Sequence, residues 1–148
     1  MMTMQRKVEH AVFTVERVYN GANPERVFAA WSNAETKAKW FAKSEVFEFR
    51  TGGREVNRDT FPDGTTVSFE AHYQEIVADE RIVYSYSLDM NGNRVSVSVA
   101  TIEFQPTDEG TKLVFTESGA FLDGHDTPAM REHGTGIMLD MLGKLFSE

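Results

Sequence analysis

The side chains best equipped for chemistry in this chain are scattered rather than grouped. Its four histidines are His10, His72, His125 and His133. None has the His-Glu-x-x-His spacing of a zinc helix, and no cysteine is present to complete a site, so no metal is expected. Surface or turn positions are the reading for each. His72 stands two residues from Glu70 on the polar side of a strand-like segment, where a single proton relay is conceivable. A serine nucleophile would need Gly-x-Ser-x-Gly between a strand and a helix, and Glu117-Ser118-Gly119 lacks that pattern. Gly52-Gly53 and Gly134/Gly136 do not make Gly-x-Gly-x-x-Gly after a strand, so neither a Rossmann nor a P-loop site is supported. No cofactor is expected, and catalytic residues stay unassigned.

Charged residues on the strands offer two readings. Arg54, Glu55, Arg58 and Asp59 fall on both faces of one strand, with Glu70, Glu103 and Glu117 on neighbouring segments. A solvated face or a charge-protected edge accounts for most of them. One that points into a cavity would be informative, because a buried charge is costly unless paired.

The stronger signal is apolar. Met130, Met138 and Met141 lie in the last helical segment, with Gly134, Gly136 and Gly143 among them. Each interior glycine costs roughly 1 kcal/mol against alanine, which close helix–sheet approach or room for a ligand would offset. Methionine suits surfaces that accept varied apolar shapes, although a stripe at helical spacing is also the mark of plain core. Phe69, Tyr73, Tyr84 and Tyr86 would form the opposing aromatic wall, where phenol hydroxyls need partners. Trp40 and Phe41 end a short helix at what would be the mouth. A slip of one residue in strand parity would exchange the inward and outward sets. The candidate ligand-binding residues are therefore Trp40, Phe41, Phe69, Tyr73, Tyr84, Tyr86, Met130, Met138 and Met141.

Bulk properties narrow the partners. The chain has 148 residues, 41% of them hydrophobic, which suits a single domain with an ordinary core. A net charge of −8, from 15 Lys+Arg against 23 Asp+Glu, argues against nucleic acid and against an anionic membrane surface. The first ten residues lack the apolar stretch of a signal peptide and read as a loose segment. No apolar run is long enough for membrane insertion, and a cytoplasmic setting is expected.

These side chains need elements to carry them. Val12–Tyr19 reads as a strand from its β-branched and aromatic content. Asn23 can cap a first short helix, with Pro24 at its first position and Val27, Phe28 and Trp31 on one side. Ser32 with Glu35 matches a capping box for a second. Further strands are expected at Ser44–Phe49, Arg54–Thr60, Thr65–Ile76, Arg81–Leu88, Val95–Phe104 and Thr111–Ser118. Val95, Val97 and Val99 are expected on one face, and Asn91-Gly92 signals a two-residue hairpin. After a cap at Asp126 or Thr127, a stripe of Met130, Gly134, Ile137, Met141 and Leu145 defines a long final helix.

That order is an α+β helix-grip fold: a curved antiparallel sheet of six or seven strands around a long C-terminal helix, with two short helices after the first strand. The pattern formed by Phe28, Trp31, Trp40 and Phe41, then Gly52-Gly53, Glu75 to Tyr86, Gly110 to Phe115 and a final helix containing Gly134 resembles the SRPBCC (START-like, birch-pollen-allergen-like) superfamily. Within it the chain looks most like the branch of heat-shock-protein ATPase activator homologs. A departure is Gly134-Thr135, where such proteins often have Gly-Trp, and the loss of that aromatic would widen or reshape whatever the helix encloses. The resemblance implies binding of a small apolar or amphipathic molecule between helix and sheet. Two alternatives also follow from it: a cyclase- or hydrolase-like enzyme on a polyketide-like substrate, and a co-chaperone-like contact in a stress-response setting. Homodimerisation through a sheet face or edge is a further option that the sequence leaves open.

Overall fold

The computed structural model describes residues 6–147; the expectations for residues 1–5 lie outside the described residues. The elements run β1 (Val8–Asn20), α1 (Pro24–Ser32), α2 (Ala34–Lys37), β2 (Val46–Phe47), β3 (Arg54–Thr60), β4 (Thr66–Val77), β5 (Arg81–Met90), β6 (Asn93–Pro106), β7 (Gly110–Leu122) and α3 (Pro128–Gly143), with a 3-10 turn over Lys144–Phe146. The strands form one antiparallel sheet in the order β1-β7-β6-β5-β4-β3-β2. This is the expected α+β helix-grip arrangement of seven strands, two short helices and one long one. β1 begins earlier than expected: Val8, Glu9 and His10 pair with Leu122, Phe121 and Ala120 rather than forming a loose segment. Among the described residues, no helix is long and apolar enough to cross a membrane.

The elbow of α1 and α2 follows its sequence signals with one correction. Asn23 caps α1, its side-chain oxygen accepting from the Arg26 amide at 2.9 Å. Ser32 does not cap α2. It is the last residue of α1 and turns its hydroxyl back to the Ala29 carbonyl, while Asn33 accepts from the Thr36 amide at 3.0 Å. Asparagine is at least as good a cap as serine, so the boundary moves by one residue. Trp31 is 2% exposed and meets Trp40 edge-on at 4.7 Å, with Phe104 and Phe115 of the sheet beside it. The tryptophan pair therefore anchors the elbow to the concave face.

Two face assignments change. In β6, Val97 and Val99 are 46% exposed while Ser96, Ser98, Ala100 and Ile102 face inward. The cause is a bulge: Leu88 pairs with Ser96 and Asp89 with Arg94, leaving Val95 as an extra residue that resets the alternation. At the preceding hairpin, Asn91 and Gly92 have φ of 52° and 80°, the left-handed pair of a two-residue turn that favours Asn-Gly.

In α3 the buried stripe is Thr135, Leu139 and Leu142, continued by Phe146, not Met130–Ile137–Met141. Met130, Ile137 and Met141 are 64%, 53% and 41% exposed. The helix is rotated because its other face is fixed on β1. The Tyr19 hydroxyl donates to the Leu139 carbonyl at 2.8 Å, Arg17 pairs with Asp140 at 2.7 Å, and a Cβ on Gly143 would lie 3.0 Å from the Tyr19 ring. The helix thus leans on the β1 side of the grip and leaves the β3–β5 side uncovered.

Candidate functional site

On that uncovered side a cavity of about 660 Å³ opens between α3 and the sheet. The volume lies within the range of roughly 300–1,000 Å³ typical of small-molecule sites. Its apolar wall comes from Phe69 of β4, Leu88 of β5, Phe115 of β7, Phe41 after α2, and Met138 of α3. Phe61 in the β3–β4 turn and Met130 on α3 also line it, and their exposure of 47% and 64% places them at the rim.

Of the candidate residues read from the sequence, Phe41, Phe69, Tyr84, Tyr86, Met130 and Met138 line this cavity. Trp40, Tyr73 and Met141 do not. Trp40 is buried against Trp31, its indole N–H donating to the Ala30 carbonyl at 3.1 Å. Tyr73 lies deeper, donating to Glu55 at 2.5 Å. Met141 sits on the outer side of α3 beside Lys144, because the helix is rotated away from the expected stripe.

The polar side of the cavity centres on Arg131. Its guanidinium makes four hydrogen bonds and a further ionic contact. Nη1 donates to the Tyr86 hydroxyl at 2.7 Å and to Glu117 Oε2 at 3.0 Å, Nη2 donates to Ser96 Oγ at 2.7 Å and lies 3.0 Å from Asp126 Oδ2 in an ion pair, and Nε donates to Asp126 at 3.2 Å. Tyr86 in turn donates to Glu117 at 2.8 Å. The glutamate is 1% exposed, so a carboxylate stands deep in the grip, neutralised by a guanidinium. Burial works to lower the Arg131 pKa, but Tyr86, Glu117 and Asp126 outweigh it and hold the group cationic. Burial, and then the Glu117 charge, push the Tyr86 phenol well above its ordinary range. Tyr84 is pushed up in the same way, by burial first and by Tyr86 and Glu117 next. Both phenols are therefore neutral hydrogen-bonding groups, unsuited to act as bases.

A second buried pair backs the cavity. Lys37 Nζ lies 2.6 Å from Glu55 Oε1 and within 6 Å of the Trp31, Phe41 and Phe47 ring centres. Glu55 also accepts from Tyr73 and from Asn57 Nδ2 at 3.3 Å. Burial lowers the Lys37 pKa, and the adjacent carboxylate opposes that shift. Asn57 reaches from this cluster to line the cavity.

Sequence reading missed Asn57, Arg131 and Lys37. Arg131 carried a usable signal as the only Lys or Arg in α3, and Asn57 shares its strand parity with Glu55 and Asp59. Of the charges singled out on the strands, Glu55 and Glu117 are fully buried, while Arg54, Arg58 and Glu70 are in exposed ion pairs. His72 and Glu70 lie 3.8 Å apart with side chains about half exposed, and neither lines the cavity. Among the described residues no cluster of His, Asp or Glu could hold a metal ion.

Comparison with known proteins agrees with this fold. No curated protein matches the sequence. A protein of uncharacterised function from Rhizobium leguminosarum is 39% identical, with a TM-score of 0.88 and coverage of 96% of this chain and 97% of its own. A protein from Rhizobium loti is also 39% identical, at the same TM-score, covering 93% and 98% of the two chains. An AHSA1-like protein from Aeromonas hydrophila, 21% identical with a TM-score of 0.65 over 90% of each chain, shares the fold. The family described as activator of Hsp90 ATPase homolog 1-like protein matches residues 21–147. That match takes in every element from α1 to the 3-10 turn after α3, and the chain belongs to the activator of Hsp90 ATPase homolog 1-like family.

Proposed function

We propose that this chain is a single binding domain that holds a small apolar or amphipathic molecule between α3 and the β3–β5 side of the sheet, in a cytoplasmic setting. The observation that carries this reading is the 660 Å³ cavity itself, apolar on most of its wall with a few polar groups converging on one side. The position of Gly134 supports it. A Cβ built there meets nothing within 4 Å, whereas one on Gly136 would lie 2.9 Å from Arg17. One glycine of the helix thus serves close packing and the other keeps space open. Native mass spectrometry of protein purified from cells, followed by thermal shift against a lipophilic library, tests the reading. A co-purifying small molecule or a stabilising hit supports it; an empty protein that no compound stabilises refutes it.

A second reading is a protein contact, either with a chaperone, as the family description suggests, or with a second copy. It is favoured by the outer sheet face, where Val12 pairs with Ser118 and Ser118 with Val99 in a row whose valines are 69% and 46% exposed. Light scattering and a pull-down with Hsp90 distinguish the two partners.

A further inference from the structure

We propose that the cavity selects its ligand by head group, taking a primary ammonium on an apolar body and rejecting the matching carboxylate; this rests on the cavity reading above. The hydrogen-bonding groups of the lining divide into committed donors and unspent acceptors. Among the described residues Arg131 is the only cation lining the cavity, and its guanidinium is already committed to four hydrogen bonds, with Tyr86, Glu117, Ser96 and Asp126, and to a second ionic contact with Asp126. A ligand carboxylate would compete with Glu117 and Asp126 for that guanidinium and set its own charge beside theirs.

The unused groups are acceptors. Asn57 is 3% exposed, and its Oδ1 is buried with no hydrogen-bond partner among the described residues. Its orientation is fixed chemically: Nδ2 points at Glu55 Oε2, and a carboxylate can only accept, so the oxygen must be the free end. An unpaired buried acceptor of this kind is costly unless a donor arrives. Two residues along the same strand face, Asp59 lines the cavity at an exposed position and makes no ion pair among the described residues. The charged lining residues are Asp59, Glu117, Asp126 and Arg131, three anions against one cation. The Tyr84 hydroxyl, which has no hydrogen-bond partner among the described residues, can accept as well as donate. An ammonium supplies three donors and a positive charge, which suits the Asp59 carboxylate and the Tyr84 phenol of the lining, with the unpaired Asn57 Oδ1 buried in the same wall.

The test uses 4-phenylbutylamine, 4-phenylbutanol, 4-phenylbutanoate and butylbenzene, which differ at the head. Calorimetry at pH 7 measures affinity, and methyl NMR of Met130 and Met138 confirms the site. The amine should bind at least about tenfold more tightly than the acid, with the alcohol between them. Asp59→Asn, at an exposed position that leaves the core intact, should narrow that ratio several-fold. Asn57→Leu should weaken the amine relative to butylbenzene by several-fold. An acid that binds as well as the amine, or an Asp59→Asn protein with an unaltered ratio, overturns the head-group proposal while butylbenzene binding leaves the cavity reading standing. If none of the four compounds shifts the Met138 methyl, both fall.

Discussion

Arg131 of α3 and Glu117 of β7 meet at 3.0 Å, with side chains 10% and 1% exposed, and this pair ties the first turns of the helix to the sheet. The far end of α3 is held separately by Tyr19 and Arg17. Between these two attachments the helix stands off the β3–β5 side, which is where the cavity lies. Removing one member of a buried ion pair strands the other charge in a poorly solvated site. Glu117→Ala should therefore destabilise the fold by about 3–5 kcal/mol, read from the midpoint of urea unfolding. A loss below about 1 kcal/mol would mean that water already reaches the pair.

The contrast between Gly134 and Gly136 gives opposite outcomes from the same substitution. Gly134→Ala adds a methyl into open space, and helix propensity alone should stabilise the protein by roughly 1 kcal/mol. At Gly136 the added methyl meets Arg17 Nη2 at 2.9 Å and forces that guanidinium to shift, which offsets the gain. Gly134→Leu extends further into the cavity and should abolish ligand binding without loss of stability. Thermal unfolding with and without a bound ligand separates the two effects.

Tyr19, Tyr73, Tyr84 and Tyr86 are all four tyrosines of the chain, and all four phenols are raised above their ordinary value of 10.0. Burial is the first cause in each case, with Glu55 next at Tyr73 and Glu117 next at Tyr86. The folded state therefore keeps protons that the unfolded state loses. Stability from this source is complete below pH 10 and falls as pH rises above it, by about 1.4 kcal/mol per pH unit for each phenol. Native protein should show no phenolate absorbance near 295 nm at pH 10. The signal should appear only together with alkaline unfolding, and a separate earlier titration would show that at least one phenol is solvated.

Much of this architecture was legible in the sequence because it rests on local rules. Asn23-Pro24 starts α1, Asn91-Gly92 turns the hairpin, and alternation in β4 and β5 puts Tyr73, Tyr84 and Tyr86 inward. The failures occurred where a distant contact decided the outcome. Met141 looked equivalent to Met138 by spacing, but the anchoring of Tyr19 to Leu139 rotates α3 and turns Met141 outward. Val97 and Val99 looked like core, but one bulge residue reversed their faces. Asn57 and Lys37 gave no local sign of burial, because each is buried through Glu55, a partner two and 18 positions away respectively.

Lys37 supplies the remaining prediction. Its ammonium is enclosed by Trp31, Phe41 and Phe47 and neutralised by Glu55, so the elbow that carries Phe41 is fastened to β3 through one buried pair. Lys37→Met fits the same space but leaves Glu55 charged and buried, held only by Tyr73, Asn57 and a long contact from Ser44. It should cost about 3–5 kcal/mol. Adding Glu55→Gln removes the stranded charge and should recover most of that loss, so the two substitutions will not be additive. The cycle is measured by chemical unfolding of the wild type, the two single variants and the double variant. Additive losses would show that Lys37 stabilises the elbow through its aromatic contacts rather than through Glu55.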